Sequence, residues 1–140
     1  MIHYVCKYAP VELFKGFGQE CAVLEEMPEN FDKSDKIAHA NLCGFGKSVI
    51  QAVLEGKVEE LVLVNCCDSM RRVYDIIENT KKCKFLYMLD LPHEDNECEN
   101  IKFAQSLIRL KKAYERYSHR TKLRSTAFCS RRNACRISSA

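Results

Sequence analysis

The sequence contains no long apolar run and no secretory signal. No stretch of its 140 residues approaches the roughly 18 consecutive apolar residues of a transmembrane helix. Its start, Met1-Ile2-His3-Tyr4, lacks the basic segment followed by an apolar segment that marks a signal peptide. These absences argue against a membrane-spanning or secreted protein, and we expect a cytoplasmic one.

One stretch ends like a phosphate-binding P-loop, NLCGFGKS at residues 41–48, but it lacks two features of that motif. Asn41 stands where a P-loop requires glycine. Residues 35–40 are too polar, and have too few β-branched side chains, to form the buried strand that leads into a P-loop. A nucleotide cradle is therefore disfavoured, and Cys43 becomes the residue of interest.

Cysteine, in contrast, is abundant, with nine in the chain. The cytoplasm keeps thiols reduced, and an odd count cannot pair completely. Free thiols, metal ligands or redox groups are therefore favoured over disulfides.

The charge is divided between two parts of the chain. From Arg109 onward the sequence has ten Lys or Arg residues and the single acid Glu115, whereas the preceding part is acidic. The length and the 46% hydrophobic content are typical of one folded domain. We predict a folded domain over residues 1–120 and a basic, disordered tail over residues 121–140.

Apolar periodicity predicts four strands and four helices in alternation. The predicted strands are Ile2–Cys6, Glu20–Leu24, Leu61–Val64 and Lys84–Leu89. The first predicted helix begins after Pro10, with Val11, and ends at the glycines Gly16 and Gly18. The others run from Cys43 to Gly56, onward from Asp68 or Ser69, and from Asn96 to Tyr117. The buried stripe of the last helix is predicted to contain Ile101, Ala104, Leu107, Ile108 and Tyr114. The alternation predicts a single three-layer α/β domain with a mostly parallel sheet and helices on both faces.

Three cysteines fall where parallel α/β sheets form ligand sites, at the carboxyl ends of strands beside helix N-termini. Cys6 ends the first strand, Cys67 follows the third, and Cys43 begins a helix. A helix N-terminus favours the thiolate that binds iron or attacks an electrophile. The other candidates are interpreted as structural: Cys21, Cys66 and Cys83 as core residues, and His39 and His93 as surface loop residues.

Three ordered motifs contain these cysteines: CKYAPVEL at residues 6–13, NLC at residues 41–43 with Lys47, and NCCDSMRR at residues 65–72. Together they resemble the N-terminal part of 2-hydroxyacyl-CoA dehydratase subunits. Benzoyl-CoA reductase subunits and the double-cubane iron–sulfur reductases are similar. The resemblance extends from Ile2 to Tyr117.

This resemblance implies a doubly wound α/β domain that holds a [4Fe-4S] cluster, or a double-cubane cluster, at its sheet edge. It assigns Cys43 and Cys67 as cluster ligands, and Cys6 matches a further motif residue. The implied partners are a second dehydratase-type subunit and an ATP-dependent activator iron–sulfur protein, and the implied substrate is a CoA thioester.

Subunits of this family are two to three times longer and have a second α/β domain. The chain therefore looks like a truncated N-terminal domain, and we expect it to be inactive alone. Two other functions stay open: a small stand-alone thiol-dependent α/β enzyme, and a nucleic-acid binder that uses the basic tail. No specific nucleic-acid site and no membrane partner are expected.

Overall fold

A computed structural model describes residues 1–25 and 27–118 and contains the eight predicted elements in their predicted order. The strands are β1 (Ile2–Tyr4), β2 (Cys21–Val23), β3 (Glu60–Val64) and β4 (Phe85–Leu89). The helices are α1 (Val11–Gly16), α2 (Gly44–Leu54), α3 (Asp68–Thr80) and α4 (Glu97–Ser118). The tail predicted over residues 121–140 lies outside the described residues.

The four strands form one parallel sheet in the order β2-β1-β3-β4. Tyr4 pairs with Val62 across β1 and β3, and Val64 pairs with Leu89 across β3 and β4. The apolar residues of β3, from Leu61 to Val64, are completely buried, as expected for a strand covered on both faces. The predicted α/β class with a parallel sheet is confirmed.

Helices cover both faces of this sheet, and the pleat of β3 supplies both cores. Leu61 and Leu63 pack with α2 and α3, whereas Val62 between them packs with α1 and α4 on the opposite face. This alternation follows from the two-residue period of a strand. The result is a three-layer domain in which α2 and α3 lie together on one face.

The inward face of α4 differs from the prediction. Leu110 and Tyr114 are its buried residues, and Leu107 is half-buried, but Ala104 is exposed. Ile101 and Ile108 are 53% and 52% exposed. The Tyr114 ring packs edge-on against three phenylalanine rings of the core, Phe14, Phe17 and Phe85. This aromatic cluster sets the rotation of α4, so the predicted placement of Ile101, Ala104 and Ile108 in the core was wrong.

A buried glutamine holds the segment before α2 in place. The Gln51 side-chain oxygen accepts hydrogen bonds from the backbone N–H groups of Lys33 and Ser34 at 3.1 and 2.8 Å. Lys47 adds an ion pair to Asp35 at 2.8 Å. These contacts fix residues 31–38 against α2. No helix in the described part of the chain is long and apolar enough to span a membrane.

Candidate functional site

The loops after β1 and β3 diverge at the carboxyl edge of the sheet. The chain leaves β1 toward β2 on one side, and it leaves β3 toward β4 on the other. Neighbouring strands with this property create a crevice, which is where open α/β sheets bind their ligands. Cys6 lies two residues beyond β1, and Cys66 and Cys67 follow β3 after one intervening residue. The fold therefore brings the first and third cysteine motifs to one crevice.

Cys67 forms the N-terminal boundary of α3. Its backbone is extended, with φ −161° and ψ 164°, and its carbonyl accepts a hydrogen bond from the Met70 N–H group at 3.1 Å. The side chain makes no capping hydrogen bond and is exposed. A free thiol at the start of a 13-residue helix lies in the positive field of the helix dipole. This position suits a thiolate ligand or nucleophile.

Cys66 is the site residue that the sequence interpretation missed. It is exposed, so its predicted place in the core was wrong. The prediction assumed that the alternation of β3 continued, but the strand ends at Val64 and the Cys66 N–H group donates back to the Val64 carbonyl at 2.8 Å in a tight turn. The only available signal was the adjacent pair of cysteines directly after a buried strand.

Electrostatic interactions link three of these thiols. Partial burial raises the pKa of Cys66, and the neighbouring Cys67 thiol, which is also its hydrogen-bond partner, raises that pKa further. Cys6 contributes in the same direction. Cys6, Cys66 and Cys67, which follow the ends of the paired strands β1 and β3, form the thiol cluster of the crevice.

A polar network holds the turn that presents this cluster. The Asn65 backbone N–H group donates to the Leu89 carbonyl at 2.8 Å, and its side-chain amide donates to Asp90 at 2.8 Å. Arg71 Nε donates to the Asn65 side-chain oxygen at 2.7 Å, and Arg71 also pairs with Asp68 at 3.5 Å. The network joins the ends of β3 and β4 to the first turn of α3.

Cys43 comes to the same face of the domain through α2. It is the N-cap residue of that helix, and its sulfur accepts a hydrogen bond from the Gly46 N–H group at 3.3 Å. The side chain remains exposed. Hydrogen bonds from backbone N–H groups stabilise a thiolate, and they tune the potential of sulfur ligands in iron–sulfur proteins.

Gly46 allows this arrangement because α2 passes very close to α3. A Cβ atom at Gly46 would lie 3.0 Å from Val73 Cγ2 and 3.4 Å from the Cys43 sulfur. The glycine therefore permits both the helix contact and the bond to Cys43. It has a packing role that differs from phosphate binding.

Two polar side chains of the P-loop-like stretch, Lys47 and Ser48, interact with other residues of the chain. Lys47 pairs with Asp35, and the Ser48 hydroxyl donates to the Gly44 carbonyl at 2.9 Å. No strand directly precedes α2, since residues 31–43 form turns. These findings agree with the sequence argument against a nucleotide cradle.

The remaining cysteines and histidines of the described chain are placed largely as expected. Cys83 is half-buried, its thiol donates to the carbonyls of Glu59 and Phe85, and burial raises its pKa to about 11. Cys21 is half-buried against the α1 and α4 core, and burial raises its pKa. His39, His93 and Cys98 are exposed.

A cavity of about 360 Å³ lies next to the crevice, between the loop after β4 and α4. Its polar lining includes Asp90, His93 and Arg109. Asp90 also accepts the Asn65 hydrogen bond, so one contact connects the cavity to the turn that presents Cys66 and Cys67.

No three His, Cys, Asp or Glu residues converge on a single-ion site within residues 1–25 and 27–118. An iron–sulfur cubane makes a different demand, because its irons occupy separate corners and each takes its own thiolate. The exposed or half-buried thiols of Cys6, Cys43, Cys66 and Cys67 provide that donor chemistry. The residues fit a thiolate-ligated cluster better than a mononuclear zinc site.

The family comparison agrees with the fold and the motifs. The model for "2-hydroxyglutaryl-CoA dehydratase, D-component" matches residues 6–130, which include Cys6, Cys43 and Cys67. The match continues past Tyr117, where the resemblance was expected to end. No curated protein gives a significant match. The chain belongs to the 2-hydroxyglutaryl-CoA dehydratase D-component family.

Proposed function

We propose that this chain is the electron-accepting iron–sulfur domain of a 2-hydroxyacyl-CoA dehydratase-type enzyme, with Cys43 and Cys67 as cluster ligands and Cys6 as a third. The observation that supports this proposal most directly is that Cys6, Cys66 and Cys67 follow the ends of β1 and β3 at the crevice between these strands. A [4Fe-4S] cluster, when bound, supplies one-electron transfer at low potential; a double-cubane cluster is the alternative.

The protein groups have separate tasks in this proposal. Cys67 offers an exposed thiol at the start of α3, and Asn65 and Arg71 hold the turn that precedes it. Cys43 offers a second exposed thiol, and its sulfur accepts a hydrogen bond from the Gly46 N–H group. Both sulfurs belong to helix N-cap residues, those of α2 and α3. We predict that they lie within about 10 Å of each other, since one cubane must reach both.

The exposure of these thiols supports the view that other protein parts complete the site. Cys43 and Cys67 are exposed and Cys6 is half-buried, so a cluster on this domain alone would face solvent. We propose that a second dehydratase-type subunit closes the crevice and that an ATP-dependent activator iron–sulfur protein supplies the electron. The substrate would be a CoA thioester, the chain would be inactive by itself, and the complex would be cytoplasmic.

A stand-alone thiol-dependent enzyme is the second candidate. Cys67 would be its nucleophile, because it is exposed at a helix N-terminus. Of the described histidines, His39 and His93 lie in exposed loops and His3 lies within β1, which favours the iron–sulfur proposal over this one. Binding of nucleic acid by the basic tail concerns residues outside the described part of the chain.

Anaerobic reconstitution with iron and sulfide tests the proposal. We expect Cys43→Ala and Cys67→Ala to lose most bound iron, acid-labile sulfide and visible charge-transfer absorption. Cys98→Ala is the matched control, because Cys98 is also exposed but lies in the first turn of α4. Circular dichroism should show that all three variants are folded.

Two results would contradict the proposal. One is full iron and sulfide content in both Cys43→Ala and Cys67→Ala. The other is dehydration of a 2-hydroxyacyl-CoA by the chain without a partner subunit. Turnover of a substrate by the cluster-free chain, abolished in Cys67→Ala, would support the stand-alone thiol enzyme.

A further inference from the structure

Cys66 and Cys67 form a pair of adjacent thiols on the protein surface. Both side chains are exposed, and they belong to consecutive residues. The other exposed cysteines of the described chain, Cys43 and Cys98, have no cysteine next to them in the sequence. Cys66 is not needed in the iron–sulfur proposal, so its chemistry requires a separate account.

The backbone on both sides of the pair is fixed. The Cys66 N–H group donates to the Val64 carbonyl at 2.8 Å, and the Cys67 carbonyl accepts from the Met70 N–H group at 3.1 Å. Asn65 is held by Leu89 and the side chain of Arg71. The two sulfurs are therefore presented together by a rigid turn and do not depend on a mobile loop.

This geometry favours a dithiol over a disulfide. Adjacent residues have Cα atoms about 3.8 Å apart, and disulfides prefer roughly 4.4 to 6.8 Å. A direct bond between Cys66 and Cys67 would therefore be strained. An atom inserted between the two sulfurs enlarges the ring and removes much of that constraint.

We propose that Cys66 and Cys67 form a chelating site for trivalent arsenicals. With phenylarsine oxide, two arsenic–sulfur bonds form and the arsenic–oxygen double bond breaks. The two thiol protons leave with the oxygen as water, and arsenic stays trivalent. This site does not require that the same thiols bind an iron–sulfur cluster.

The test uses the cluster-free full-length chain with Cys129→Ser and Cys135→Ser, so that no dithiol of the tail competes. Native mass spectrometry should find one phenylarsine per chain that survives excess 2-mercaptoethanol and is removed by 2,3-dimercaptopropanol. Cys66→Ser and Cys67→Ser should each bind phenylarsine oxide about 100-fold or more weakly than the parent chain, because each variant loses the second arsenic–sulfur bond. Cys98→Ser should bind as tightly as the parent.

A further control uses a cysteine outside the pair. Cys6→Ser should leave phenylarsine oxide binding unchanged, because Cys66 and Cys67 supply both thiols. Cys66→Ala serves as a second variant, and circular dichroism checks that each protein is folded. The proposal would be overturned if phenylarsine stayed bound to both Cys66→Ser and Cys67→Ser in excess 2-mercaptoethanol. It would also be overturned if the parent chain lost its bound phenylarsine under the same conditions.

Discussion

Arg71 donates a hydrogen bond from Nε to the side-chain oxygen of Asn65 over 2.7 Å, which joins the first turn of α3 to the end of β3. The same asparagine donates to Asp90 at the end of β4. One side chain therefore ties two strand ends to one helix start. Cys66 and Cys67 lie between these anchor points, so the network determines how both thiols are presented.

Asn65→Ala should loosen this turn while the fold persists. The substitution removes two side-chain hydrogen bonds that are exposed to solvent, and we expect a loss of about 1 kcal/mol in the free energy of unfolding. Amide exchange should accelerate in residues 65–70 more than in β3. Asn79→Ala, at an exposed position of α3, should stay within about 0.5 kcal/mol of the parent. Equal protection of residues 65–70 in both variants would show that the network does not hold the turn.

Gln51→Leu should release the segment that precedes α2. Leucine cannot accept the hydrogen bonds from Lys33 and Ser34, and it leaves two backbone N–H groups without their partner. An unsatisfied buried donor costs about 1 to 3 kcal/mol, so we expect a loss of about 2 kcal/mol by chemical denaturation. Gln105→Leu, at an exposed position of α4, is the control and should have little effect. Equal stability of the two variants would contradict this account.

The sequence predicted the elements well because local patterns determine them. The continuous apolar run of β3 and the helical period of α3 are strong signals, and both elements lie where they were expected. The order β2-β1-β3-β4 could not be derived from periodicity, because it depends on contacts between distant strands. This order creates the crevice that brings Cys6 together with Cys66 and Cys67.

The errors arose where a local pattern allowed two placements. Helix α4 has apolar residues on more than one side, and the packing of Tyr114 against Phe14, Phe17 and Phe85 decided which side faces the sheet. Cys66 was placed by strand alternation, which ends where the Asn65 turn begins. Both cases required tertiary contacts that one sequence does not contain.

Cys83 should make the protein less stable at alkaline pH. Burial raises its pKa from 9.0 to about 11 in the folded state, so the unfolded chain releases the proton first. Its contribution is fully present below about pH 9 and is lost as the pH rises toward 11. Cys83→Ala lacks this proton, so its free energy of unfolding should fall less steeply between pH 9 and 11 than that of the parent. Parallel urea-denaturation curves across this window would argue against the burial effect.

Gly46→Ala should disturb both the contact between α2 and α3 and the cap formed by Cys43. The new methyl group would lie 3.0 Å from Val73 Cγ2 and 3.3 Å from Leu42 Cγ, so these side chains must move by a few tenths of an ångström, and it would contact the Cys43 sulfur at 3.4 Å. Overpacking of this kind costs about 1 to 3 kcal/mol, more than the gain of up to about 1 kcal/mol from the higher helix propensity of alanine.

Gly44→Ala is the matched control, since a Cβ atom there meets nothing within 4 Å. It begins the same helix and should be neutral or slightly stabilising, because it gains propensity without a clash. Thermal unfolding should therefore separate two chemically identical substitutions that lie two residues apart. The alkylation rate of Cys43 should also change in Gly46→Ala and not in Gly44→Ala. Only Gly46→Ala displaces the N–H group that donates a hydrogen bond to the Cys43 sulfur. Equal stabilities and equal alkylation rates in the two variants would show that α2 is not held against α3 through Gly46.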